Sequence, residues 1–322
     1  MAYGPTHTYE TFDVEGMRED LGPVIYNIDP TDSPMMSAIS RGSANQTTHE
    51  WQTDGLDAAG FNTSDEADVT GPYVNPAATV RPSNTLQISQ KKLSLSGTIQ
   101  AVVLAGRQSE MGYQLARLAK SLKRDCEFTI CQDQARIVPT DDGAGTGRAL
   151  ASYECWITGA NANRASDGAD ATFSGGSPTT TTTDGTVRAL QESMVQSVIQ
   201  ACWTAGGDVN LLIAAPFQKR VISGFAGNST RFDIGEDQRL TTAISVYISD
   251  FGEHRIVASR FNRVESVLLL DTQYWSMNFL RPFKEIPLAK SGDSDQRLMN
   301  VEYTLAAYNR ASSGLVTDLS FS

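Results

Sequence analysis

Gly106-Arg-Gln-Ser-Glu-Met-Gly-Tyr-Gln-Leu-Ala-Arg-Leu-Ala-Lys-Ser-Leu-Lys-Arg-Asp-Cys-Glu-Phe-Thr-Ile-Cys-Gln-Asp-Gln-Ala-Arg-Ile137 is the strongest helix pattern in the sequence. Met111, Leu115, Leu118, Leu122, Cys126 and Ile130 step by four, three, four, four and four residues, so they share one face of an α-helix. Arg107, Arg117, Lys120, Lys123 and Arg124 lie largely off that stripe, and Pro139 is read as the stop. A helix over 106–137 would be about 45 Å long, more than a small globular core requires.

The charge around this helix is segregated. The chain of 322 residues has 26 Lys+Arg and 37 Asp+Glu, a formal net of −11. Residues 1–70 hold 13 acids and only two bases, Arg18 and Arg41, which accounts for −11 by itself. The remaining 24 acids and 24 bases cancel. Within that balanced part, 91–136 carries Lys91, Lys92, Arg107, Arg117, Lys120, Lys123, Arg124 and Arg136 against Glu110, Asp125, Glu127 and Asp133, a local net of +4. An acidic segment and a basic one in the same chain attract each other wherever geometry lets them meet.

Upstream of the helix the chain reads as extended arms. Residues 1–45 contain one short helix signal at 33–39, with Ser33 as N-cap and Pro34 at the first helical position. Gly16, Gly22, Pro23 and Pro30 break any longer periodicity. Phe12, Leu21, Ile25, Tyr26, Ile28 and Met35 are left as anchoring side chains. Residues 47–53 and 85–96 read as two strands, separated by about thirty residues rich in Gly, Asn, Asp and Pro. In the second strand the apolar parity switches between Ile88 and Leu93, which predicts a bulge near 90–92. A long two-stranded arm has no core of its own and must lie on something.

Downstream, 140–185 is loop-rich and ends in five threonines at 179–183, with an island at 153–158 expected to pack on the fold. A second helix is expected after Asp184 as N-cap, with Val187, Leu190, Met194, Val198 and Cys202 on one face. Residues 209–215 read as a buried strand, and Pro216 opens a short helix. From 244 onward the pattern is mostly strand, at 244–249, 254–260, 264–271, 274–280, 298–308 and 314–319. The fold class is α+β, with a length that suits about two domains.

Chemical motifs are scarce. His7, His49 and His254 show no ligand or triad spacing, and the glycines at 143, 145 and 147 follow a helix instead of a strand, so they fail the dinucleotide context. No phosphate-binding loop and no Gly-x-Ser-x-Gly elbow occurs. Asp141-Asp142 and Asp293/Asp295 fit no calcium loop and read as turn acids. The four cysteines lack close metal-ligand spacing and are too sparse for a disulfide scaffold, which suits a reducing compartment. No apolar run approaches the ~20 residues of a membrane span, and the N-terminus has no export signal. We expect no cofactor, no metal and no enzymatic activity.

Taken in order, Glu10-Thr-Phe-Asp-Val-Glu-Gly-Met-Arg-Glu-Asp-Leu21, Ile25-Tyr-Asn-Ile-Asp-Pro-Thr-Asp-Ser-Pro34, Arg41-Gly and Thr48-His-Glu-Trp-Gln-Thr-Asp54 resemble a family of tailed-bacteriophage major head proteins. The resemblance resumes at Asp184-Gly-Thr-Val-Arg188, Ile222-Ser-Gly-Phe-Ala-Gly227, Thr230-Arg231, Asp250-Phe-Gly252, Leu280-Arg-Pro-Phe283, Leu288-Ala-Lys-Ser-Gly-Asp293 and Val301-Glu-Tyr-Thr-Leu305. It implies the Hong Kong 97-type capsid fold, with an N-terminal arm at 1–45 and an extended loop (E-loop) at 46–98. A peripheral domain with a spine helix would occupy 99–140 and 272–310, and an axial domain 141–271 and 311–322. Residues 160–184 would be a surface insertion.

The function so implied is a major capsid protein that self-assembles, as hexamers and pentamers, into an icosahedral shell around double-stranded DNA. Its expected partners are copies of itself, a separate scaffolding protein, a portal, a decoration protein and packaged DNA, with no membrane. Its expected location is the virion, after assembly in the host cytoplasm. An encapsulin-like compartment and a soluble oligomeric enzyme are the alternatives. The acids Glu10, Asp13, Glu15, Glu19, Asp20, Asp29 and Asp32 are expected to contact bases of an adjacent subunit. Arg107, Arg117, Lys120, Lys123 and Arg124 are the candidates for that contact or for DNA. His49, Trp51, Leu86, Ile88, Lys91 and Lys92 mark the E-loop strands; the two lysines sit near the loop base, which argues against a cross-link from the tip.

Overall fold

The computed structural model describes residues 32–56, 78–102, 104, 108–139, 147–225, 245–290 and 292–321. In chain order the strands are β1 (Ser40–Ser43), β2 (Thr48–Glu50), β3 (Ser83–Thr85), β4 (Gln87–Ser96), β5 (Ala162–Asn163), β6 (Phe173–Ser174), β7 (Ser177–Pro178), β8 (Leu211–Ala214), β9 (Val246–Ser249), β10 (Gly252–Ala258), β11 (Val267–Leu270), β12 (Trp275–Pro287), β13 (Ser294–Ala307) and β14 (Gly314–Val316). The helices are α1 (Pro34–Ala38), α2 (Gly97–Ala101), α3 (Glu110–Cys131), α4 (Tyr153–Trp156), α5 (Glu192–Thr204) and α6 (Pro216–Ile222). A four-stranded sheet runs β1-β12-β13-β4 and a six-stranded sheet runs β5-β14-β11-β8-β10-β9.

Alternation along the central strands explains how the sheets are covered. Leu211, Ile213, Leu268, Leu270 and Leu315 point to one face of the six-stranded sheet. There they join Leu122, Cys126 and Ile130 of α3, Tyr153 and Trp156 of α4, and Trp275, Met277, Tyr303 and Leu305 of the four-stranded sheet. Leu212, Ala214, Val267, Leu269 and Val316 point the other way, onto Val195, Val198, Ile199 and Cys202 of α5 and Ile222 of α6. Strands buried on both faces read as continuous apolar runs, as 211–214 and 267–270 do. Gly314 lets α5 come close, since a Cβ there would sit 2.2 Å from Val198.

Helix α3, the expected spine, has 22 residues and is about 33 Å long, shorter than the 106–137 predicted from periodicity. Ser109 caps its first turn, its Oγ accepting from the Gly112 N–H. It stops at Cys131, well before Pro139, because the next residues bond elsewhere. The Gln134 N–H donates to Ser152 Oγ at 2.8 Å and its side chain to the Leu150 carbonyl. Asp133 accepts from the backbone N–H and hydroxyl of Thr182.

Two further expectations are corrected. Helix α5 begins at Glu192 instead of after Asp184; Asp184 pairs with Arg263, and Arg188 bridges to Leu319 in extended conformation. The strand at 85–96 is not the partner of 47–53 along its length. β2 pairs with β3, while β4 pairs with β13 through ten residues without a register shift. No bulge forms at 90–92, because polar side chains take the inward positions. Ser89 lies 3.3 Å from Tyr303 Oη, Lys91 Nζ donates to Ser121 Oγ and pairs with Asp125 at 2.6 Å, and Ile88 faces outward.

Helix α1 is held from far along the chain. Ser33 makes no side-chain cap. Instead the buried carboxylate of Glu127 accepts the N–H groups of Met35 and Met36, each at 2.8 Å. Burial raises the Glu127 pKa, and the two N–H bonds oppose that rise. Glu127→Ala strands two buried donors, so we expect a loss of about 2–4 kcal/mol in urea unfolding of the unassembled protein; an unchanged midpoint would contradict this capping role.

Candidate functional site

The most distinctive surface among the described residues belongs to α3. Three of its stripe residues, Leu122, Cys126 and Ile130, are buried, while Met111, Leu115 and Leu118 are only half-buried. On the opposite side Arg117, Lys120, Arg124 and Phe128 follow one another at helical spacing. Arg117, Lys120 and Lys123 are exposed and Arg124 is half-buried. Lys120, Lys123 and Arg124 form no ion pair among the described residues. Phe128, 52% exposed at the end of this row, was not singled out by its periodicity because it lies off the apolar stripe. Arg107 and the acids Glu10, Asp13, Glu15, Glu19, Asp20 and Asp29 lie outside the described residues; Asp32 is exposed.

The residues expected to mark the E-loop strands divide into two environments. Trp51 and Leu86 are core side chains, and the Trp51 ring packs tilted against Trp156 at 5.4 Å and edge-on against Tyr308 at 6.0 Å. His49 Nε2 lies 2.9 Å from Asn278 Nδ2, and burial lowers its pKa, so a neutral ring accepts from the amide. Lys91 is committed to α3, whereas Ile88 and Lys92 face outward. The threonine-rich insertion keeps Thr179, Thr180, Thr181 and Thr183 exposed, while other residues tie the segment to the fold. Ser177 and Thr182 are buried, the Ser83 N–H donates to Ser177 Oγ at 2.8 Å, and buried Asp318 accepts from the N–H groups of Ala165 and Gly185.

Buried ionic groups here hold segments together. Glu302 lies between Arg148 and Arg281. Glu154, fully buried with a pKa raised by desolvation, pairs with Arg263, whose guanidinium also meets Asp184 and Glu265. All four cysteines are free and buried, and burial pushes the Cys126 and Cys202 thiols up to about 12. Among the described residues no group of three or more His, Cys, Asp or Glu side chains is placed to hold a metal ion. No described helix is long and apolar enough to cross a membrane.

An α+β chain with a spine helix, a long ribbon and two packed sheets is the architecture of phage capsid subunits. Over 97% of its length it superposes on the cyanophage A-1(L) capsid asymmetric unit with a TM-score of 0.63 at 12% identity, covering 98% of that chain. It superposes equally on a chain from Mycobacterium phage Bobi, with a TM-score of 0.63 at 9% identity and coverage of 97% and 99%. The fold is therefore the Hong Kong 97 type. The major capsid protein of Escherichia phage Phieco32 is 24% identical over 337 residues, 96% of each chain. The profile of the SU10 major capsid protein family matches residues 4–320, and the chain belongs to that family. It is a major capsid protein of a tailed phage, a structural component of the virion that forms an oligomeric capsid lattice.

The buried His254 gives this fold a pH signature. Its Nδ1 lies 2.5 Å from the Val209 carbonyl and its Nε2 2.6 Å from Ser249 Oγ, so Nδ1–H donates and Nε2 accepts from the hydroxyl. Burial lowers its pKa below the ordinary 6.5. The stability it contributes is present above the unfolded value and is lost as pH falls through the folded one. The stability margin of the wild type over His254→Gln should therefore narrow from pH 7.5 to pH 5; a pH-independent margin in urea titrations would rule this out.

Proposed function

We propose that copies of this chain form hexamers and pentamers that close into an icosahedral shell around double-stranded DNA, assembled in the host cytoplasm. The observation that carries this reading is the surplus of element length over core. Beyond residue 280, β12 runs largely exposed to Pro287, and most of 294–300 in β13 is half-covered. Half of the spine's apolar stripe is also incompletely buried. Surfaces of this kind are covered by neighbours in a lattice.

Within that shell, 1–45 is the arm and 46–98 the E-loop. Residues 99–140 with 272–310 form the peripheral domain, and 141–271 with 311–322 the axial domain. The pairing of β4 with β13 ties the returning strand of the loop to the peripheral sheet. The acids at 10–32 meet the spine bases of an adjacent subunit, and the charge segregation of the sequence supports that pairing. A scaffolding protein, a portal, a decoration protein and the packaged DNA are the further partners. The role is architectural and not enzymatic.

Electron microscopy of the purified protein should show closed shells of uniform size, and virion-derived shells should contain genomic DNA. Shells filled with a single enzyme would instead favour an encapsulin-like compartment, and a small discrete oligomer would end the shell reading. The triple variant Lys120→Glu/Lys123→Glu/Arg124→Glu should yield folded subunits and at least tenfold fewer shells. Wild-type shell yield from that variant would remove the spine bases from assembly.

A further inference from the structure

A cleft of about 520 Å³ opens between helix α5 and the turn that joins β9 to β10. Its α5 wall is Ser193, Gln196, Ser197 and Gln200, a row of hydroxyls and amides on the exposed face of the helix. The other wall carries Tyr247, Asp250 and Phe251. Hydrogen bonds hold both walls in place. Gln196 Nε2 donates to Tyr247 Oη at 3.2 Å, and Tyr247 Oη donates to Glu192 Oε1 at 3.0 Å. In the turn the Phe251 N–H donates to Ser249 Oγ at 3.2 Å, and the Ser249 hydroxyl donates to His254 Nε2 at 2.6 Å. A site whose polar groups are already placed gives up little freedom on binding.

The chemistry of the walls selects the class of ligand. Among the described residues no Lys, Arg or His lines the cleft. With Glu192 and Asp250 in its walls, a phosphate, a nucleic acid or a sulfated polymer would meet only negative charge. The amides and hydroxyls both donate and accept, and carboxylates accept strongly from O–H groups. A neutral polyhydroxylated ligand matches that inventory, whereas a purely apolar one would leave it unpaired.

Aromatic surface adjoins the polar walls. Phe251 lines the cleft, and Trp203, one turn beyond Gln200 on α5, packs on it with ring centroids 5.4 Å apart. Trp203 is 58% exposed, while the other three tryptophans are buried. The electron-rich face of an exposed indole attracts the C–H groups of a pyranose ring, and the sugar hydroxyls can then reach the amides and carboxylates beside it. We propose that this cleft binds a neutral oligosaccharide, with one sugar ring on Trp203 and its neighbour hydrogen-bonded to Gln196, Gln200 and Asp250. The volume falls within the roughly 300–1,000 Å³ of small-ligand clefts and accommodates a short oligosaccharide. This is a binding function beyond the shell reading and does not depend on it.

The test titrates the full-length protein, unassembled and as closed shells, with maltotriose, cellotriose and N-acetylated chitotriose, following tryptophan fluorescence. At least one sugar should shift the emission saturably in both forms. Gln200→Ala and Asp250→Asn should weaken that binding at least fivefold, and Trp203→Ala should remove the saturation-transfer NMR signal of the sugar. All three side chains are exposed, so the unfolding midpoints of the variants should stay at the wild-type value. No saturable binding of any of these sugars, or binding that the variants leave unchanged, would overturn the assignment. Tighter binding of tetralysine or of a sulfated trisaccharide would overturn it as well. So would binding to the unassembled subunit that closed shells lack, because a neighbouring copy would then occupy the cleft.

Discussion

A ribbon of about 45 Å cannot be buried by a core that spans only half of it, and this mismatch governs the molecule. The inner halves of β12 and β13 are committed to a tight core, where Trp275, Met277, Tyr303 and Leu305 meet the spine and α4. The outer halves leave Arg281, Lys284 and Glu285 exposed and Arg297 partly covered. The chain crosses from one regime to the other where the register slips beside Pro282, a residue that cannot donate to the ladder. A stable single subunit is thus compatible with long surfaces held in reserve for neighbours.

The same division appears in the spine. Its C-terminal half is a core element, fixed by Leu122, Cys126 and Ile130 and by the carboxylate of Glu127. Its N-terminal half keeps Met111, Leu115 and Leu118 only half-buried, and Lys91 fastens the helix laterally just past its midpoint through Ser121 and Asp125. Glu127 stands four residues beyond Lys123 and three beyond Arg124, so the first turn of α1 is seated next to the basic row.

Local pattern made much of this legible. The spine stripe, the buried strand at 211–214, the helix opened by Pro216, the apolar island at 153–156 and the ribbon strands all follow from periodicity and turn residues. Long-range partners carried no such signal. Glu127 caps a helix more than ninety residues away, and β4 finds β13 some two hundred residues downstream. Ile88 misled the parity because Ser89 and Lys91 face inward through hydrogen bonds that only the tertiary structure supplies. The ties of the threonine-rich segment to Asp133, Ser83 and Asp318 had no local signal, because those residues lie far from it in sequence. The candidate surfaces were visible as charge, whereas Phe128 and the cleft beside α5 required the fold.

The central claim is that the outer ribbon, the basic row of the spine and the arm are surfaces completed by other copies. Backbone hydrogen exchange on unassembled subunits and on closed shells tests it directly. Protection should rise strongly in 281–300, 110–124 and 1–31 on assembly, and stay unchanged in 211–214 and 267–270. Equal exchange of the first three segments in both states would contradict the account.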